Sequence, residues 1–180
     1  MMSWSLLVEQ HGPMVWTTVF RLLRHDADAA DCFQRTFLAA LELSRLETIR
    51  NWPALLRRIG TARALELLRQ RRREAQRLRP LFADAPISAS TLEPDQEAAE
   101  RELRDHLQEA LAQLAELDLR QAQVFCLACL EGFSYGEIAD QLGVTVNHVG
   151  VLLNRARAQL RERLQAHEPA AARCRQEREP

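Results

Sequence analysis

A chain of 180 residues allows one large domain or two small ones, and an apolar fraction of 47% is enough to build real cores. Six glycines and 6% aromatic residues favour helices over sheet. A net charge of −1 rules out a uniformly basic nucleic-acid binder, but the charge is segregated: residues 1–80 hold 14 Arg against 8 acids, residues 81–118 hold 2 against 10, and residues 119–180 hold 8 against 7. A basic front half, an acidic middle and a near-neutral back half create local fields that the total hides.

With no apolar run of about 18 residues, no membrane span is expected. The N-terminus lacks the basic, apolar and small-residue succession of a secretory signal, so the expected compartment is the cytoplasm, with Cys32, Cys126, Cys129 and Cys174 reduced.

The first helical stretch covers about Trp4 to Arg24, with an interruption expected at Gly12-Pro13 and an apolar stripe of Trp16, Val19, Phe20 and Leu23. Asp26 and Asp28 open a second helix, which buries Ala29, Cys32, Phe33, Thr36, Phe37 and Ala40 and runs to about Leu43. Asn51 caps a third helix, with Pro53 tolerated in its first turn. This helix carries Arg57, Arg58, Arg63, Arg69, Arg71, Arg72 and Arg73. Such a like-charge run is costly unless it meets a polyanion. With the polar loop from Ser44 to Asn51, it suits a track for an unstacked nucleic-acid strand. Trp52 is a candidate base platform, although tryptophan at a helix start also serves a core.

Residues 80–95 hold Pro80, Pro86 and Pro94 among Ser, Ala and acids, and read as a flexible acidic linker between a domain at 1–79 and a second at 96–166. Leu103, Leu107, Ala110, Leu111 and Leu114 form the apolar stripe of the next helix. Asp118 caps a short helix holding Cys126 and Cys129, both read as small core residues because no second ligand pair stands at metal-binding spacing. Neither a metal nor another cofactor is expected. Ser134 and Glu137 form a capping box, Gly143 stands where a helix ends in the left-handed region, and Thr145 caps the helix after it. This is the helix-turn-helix plan, whose second helix enters the DNA major groove. Candidate DNA contacts are Ser134, Tyr135, Asn147, His148, Asn154, Arg155 and Arg157. Residues 167–180 read as a polar tail.

Residues 118–164 resemble region 4 of bacterial sigma factors, most of all the extracytoplasmic-function (ECF) group, through Gly132, Ser134, Tyr135, Glu137, Ile138, Ala139, Leu142, Gly143, Val144, Arg155, Ala156 and Arg157. The first domain resembles region 2 of the same family. The resemblance implies that Asp28, Asp31, Gln34 and Phe37 contact core RNA polymerase. It also implies that the helix marked by Trp52, Arg58, Ile59, Leu68 and the arginine run meets the −10 promoter element. Departures from the family pattern are Arg35 for the usual Glu, Thr61-Ala62 for Arg-Asn, Glu66 for Asp, and Gly150-Val151-Leu152 where a Lys-Ser-Arg run is common.

The expected fold is all-α: two small helical domains with separate cores, held apart on DNA by polymerase. The implied function is a non-catalytic sigma factor whose partners are core RNA polymerase, promoter DNA and an anti-sigma factor. A helix-turn-helix regulator acting without polymerase and a degenerate sigma-like interaction module remain open. No glycine-rich phosphate loop and no nucleophile–base pattern point to an enzyme.

Overall fold

A computed structural model of the chain describes residues 3–78 and 96–166, without the side chains of 96–100 and 166. The linker expected at 80–95 and the tail at 167–180 lie outside the described residues. Within them the fold is all-α: α1 (Trp4–Leu23), α2 (Asp26–Leu46), α3 (Trp52–Leu78), α4 (Gln96–Leu117), α5 (Leu119–Phe125), a π-helical turn (Cys126–Leu130), α6 (Tyr135–Leu142) and α7 (Val146–Ala166). None of these helices is long and apolar enough to cross a membrane.

The first three helices pack on one another as an N-terminal bundle. The expected break at Gly12-Pro13 is absent, and α1 runs through it. Proline in a helix interior costs about 3 kcal/mol. Here it sits on the exposed face, while Leu7, Val15, Val19, Leu22 and Leu23 on the other face are buried, each at about 2 kcal/mol. The chain then reverses in two residues. Arg24 takes a left-handed conformation (φ 52°), and His25, rather than an aspartate, caps α2 by accepting from the Asp28 amide at 3.4 Å. Asn51 caps α3 as expected, accepting from the Ala54 amide at 3.0 Å. A row of aromatics (Trp16, Phe20, Phe33, Phe37) stacks along the α1–α2 seam at 5.0–6.2 Å between centroids.

The C-terminal bundle is built on α4, α5 and α7, with α6 against α7. Asp118 caps α5 through the Arg120 and Gln121 amides, both at 3.0 Å. The helix then widens into a π turn, in which the Glu131 amide reaches back to the Cys126 carbonyl at 3.0 Å. That register change corrects the reading of both cysteines as core. Cys126 is buried, but Cys129 turns outward and is exposed. Burial raises the Cys126 thiol well above its ordinary pKa and lifts Cys32 to about 11, so both stay protonated at neutral pH.

The two bundles were expected to enclose separate cores. Instead, buried residues of α1–α3, α4, α5 and the end of α7 form one continuous cluster, and a second cluster lies inside the helix-turn-helix. The reason lies in α4. Ala110, Leu111, Ala112, Leu114 and Ala115 are all buried, which one helical face cannot accommodate. One side of α4 packs into its own bundle and the other lies against α3. Ala112 and Ala115 fall outside the leucine stripe and are small enough for close approach.

Candidate nucleic-acid interface

The helix-turn-helix is set by local hydrogen bonds. Ser134 Oγ accepts from the Glu137 amide at 3.3 Å, while Glu137 Oε2 accepts from the Ser134 amide at 2.8 Å and its hydroxyl at 2.7 Å. The hydroxyl bond and then the amide bond hold the Glu137 carboxyl below its ordinary pKa. The cap therefore contributes fully above the usual carboxylate range and is lost as pH falls through the lowered value. Gly143 (φ 63°) ends α6 in the left-handed region, and Thr145 Oγ1 accepts from the His148 amide at 3.2 Å to start α7. Ile138, Ala139, Val149, Leu152 and Leu153 lock the two helices together.

This leaves one face of α7 outward. Asn147, His148, Asn154, Arg155 and Arg157 are all exposed there, with Tyr135 and Ser134 at the head of α6. Arg157 donates to Cys129 Sγ at 3.7 Å, so it leans toward the π turn. Gly150 lies within α7, and an added Cβ would stand 3.8 Å from Tyr135, an ordinary contact. Gly150→Ala is therefore expected to stabilise the protein by about 0.5–1 kcal/mol. Chemical denaturation checks this, and a loss of stability would mean the helix needs the glycine.

The arginine track of α3 divides in two. Arg58 and Arg63 line a cleft of about 400 Å³ with Glu42, Leu46 and Ala62, and burial lowers the Arg58 guanidinium from its ordinary pKa, partly offset by Glu47. Beside it, Ser44 to Ile49 and Trp52 line an opening of about 460 Å³, with Leu46 standing 84% exposed between the two. Trp52 is half-buried and meets Trp4 edge-to-face at 5.6 Å, so much of its ring serves the core. Thr61, where the family pattern has Arg, is wholly buried, and Ala62, in place of Asn, lines the cleft without a polar side chain. The other arginines are in ion pairs: Arg69 with Glu66 at 2.6 Å, Arg71 with Asp28, Arg72 with Glu109 and with Glu116 at 2.9 Å, and Arg73 with Glu116 at 3.6 Å. Glu109 and Glu116 belong to α4, so the C-terminal bundle covers the distal end of the track.

On α2, Asp31, Gln34, Arg35 and Leu38 form one exposed stripe at helical spacing, with Asp31 and Arg35 paired at 2.9 Å. Asp28 is turned inward to Arg71 and His25, and Phe37 is a core residue packed on Phe33. Both side chains are engaged within the fold. Sequence reasoning missed Glu131. Its carboxylate is only 7% exposed, receives Arg21 and Arg57 of the N-terminal bundle, the latter at 3.4 Å, and accepts from the Thr18 hydroxyl at 3.2 Å. Arg57 also lies over the Phe133 ring at 5.8 Å. No local pattern marks Glu131, because its partners come from α1 and α3.

Comparison with known proteins agrees with this geometry. Residues 7–74 match the family described as sigma-70 region 2, and residues 107–160 match sigma-70, region 4. The ECF RNA polymerase sigma factor SigE of Mycolicibacterium smegmatis is 33% identical over 172 residues, which are 96% of this chain and 65% of SigE, so the chain spans just under two thirds of that relative. The ferric citrate uptake sigma factor FecI of Escherichia coli is 32% identical over 146 residues, 81% of this chain and 80% of FecI. CnrH, solved in complex with the cytosolic domain of CnrY, superposes with a TM-score of 0.56 at 25% identity, covering 92% of this chain and 89% of CnrH. With both regions present in order, and with relatives matched along most of its length, the chain belongs to the sigma-70 family of RNA polymerase sigma factors, in its ECF group.

Proposed function

We propose that this chain binds core RNA polymerase in the cytoplasm and directs it to promoters, with an anti-sigma protein as a further partner. Residues 1–79 act on polymerase and the −10 element, residues 80–95 connect, and residues 96–166 meet the upstream element. The observation that carries this reading is the pairing of two surfaces on one chain: the outward polar face of α7 and the Arg58–Arg63 cleft beside the 44–49 loop. Phosphates take the arginines, and the clefts suit bases turned out of the stack. Asp31, Gln34 and Leu38 offer the polymerase a mixed polar and apolar stripe.

The proposed role includes a movement of the bundles. Arg72 and Arg73 cannot serve DNA while Glu109 and Glu116 hold them, so the bundles part when polymerase and promoter bind. Reversing both acids (Glu109→Arg with Glu116→Arg) is expected to enlarge the radius of gyration of the free chain in small-angle scattering. An unchanged radius would show that the apolar contact alone keeps the bundles together.

The deciding assay adds the purified chain to core polymerase and scores start-site-specific transcripts on genomic DNA. Transcripts support the proposal. Co-elution with polymerase but no transcripts points instead to an interaction module, and DNA binding without affinity for polymerase points to a free-standing regulator.

A further inference from the structure

The outward arc of α7 has an unusual chemistry. At 100° per residue, Asn147, Val151, Asn154 and Ala158 fall within an arc of roughly 60°, opposite the buried Val149, Leu153 and Ala156. Val151 is 39% exposed at one edge of it, on the Arg155 side. Arg155 and Arg157 fall on opposite flanks of this arc, where the two phosphate walls of a groove would stand.

These side chains correspond to particular base edges. Guanine is read in the major groove chiefly by Arg or Lys on O6 and N7, and the central arc holds neither. Asparagine pairs with adenine N6 and N7, and an exposed aliphatic side chain meets the thymine C5-methyl group. An exposed valine between asparagine and arginine gains nothing from phosphate or water, but it gains from a methyl group in the groove floor.

We propose that α7 reads A·T base pairs, with Val151 packed on a thymine methyl group and Asn147 and Asn154 bonded to adenine edges. This rests on α7 being the DNA-reading helix of the function proposed above. It adds which base chemistry the helix selects and names Val151 as a specificity-determining residue.

The test uses the full chain assembled with core polymerase and a pool of random duplexes. After selection, the preferred upstream element is resynthesised with deoxyuridine at each thymine in turn, which removes only the methyl group. The expected element is rich in A·T pairs. At one thymine the replacement weakens binding about fourfold, the worth of one buried methyl. Val151→Ala, checked for unchanged helix content by circular dichroism, binds the thymine and uracil forms equally. A selected element dominated by G·C pairs, or equal affinity for the two forms at every position while sequence-specific binding persists, overturns the inference and leaves the proposed function standing. Failure to select any upstream element overturns the assignment of α7 as the reading helix, and the inference with it.

Discussion

Replacing Arg155 and Arg157 together by alanine is expected to weaken binding of the upstream promoter element about 30-fold while leaving association with core polymerase unchanged. Both arginines are exposed on α7, on opposite flanks of its outward face, and α7 is anchored by residues on the other side. The double substitution therefore removes cations without touching the core. An exposed charge contact of this kind contributes about 1 kcal/mol, so two of them give the stated factor. Phosphate contacts also release counterions. The plot of log affinity against log salt should lose about two units of slope, and the loss should be similar for every sequence tested. Electrophoretic mobility shift across a salt series measures both. Unchanged promoter affinity and slope would remove the recognition-helix assignment.

The second large effect is expected at Glu131. Glu131→Ala should destabilise the protein by about 2 kcal/mol, more than removal of an exposed acid such as Glu109 would. The carboxylate is nearly buried, whereas Arg21 and Arg57 retain 36% and 32% of their exposure. Removing it leaves two guanidinium groups and the Thr18 hydroxyl facing a partly dry seam. Stranding a fully buried partner costs about 3–5 kcal/mol, and the residual exposure of both arginines reduces that. Glu131→Gln keeps the shape and one acceptor, so it should lose about half as much. Because Glu131 joins the bundles, its loss should also split a single calorimetric transition into two or broaden it. A sharp, unshifted transition would mean the triad contributes no net stability.

Several elements were legible in the sequence because their causes are local. The capping box at Ser134 and Glu137, the turn at Gly143 and the cap at Thr145 involve residues three or four apart, and the structure has all of them. The departures come from packing. The proline in α1 is outweighed by a buried face that only neighbouring helices supply. Cys129 is turned out by a π turn that no propensity marks. Phe37 and Asp28, both in places the family pattern assigns to a partner, are claimed by Phe33 and Arg71 within the fold.

The sequence by itself determined the helical class, the helix-turn-helix, and the residues available to meet phosphates and bases. Periodicity, capping and side-chain chemistry are properties of short segments, and they hold wherever the segment sits. Only the tertiary structure decided which arginines are open and which are held. Arg72 meets Glu116 across a separation of 44 residues, and Arg21 meets Glu131 across 110. Ion pairs form over a few ångströms, so their partners are fixed by how the C-terminal bundle lies on the N-terminal one and not by charge along the chain.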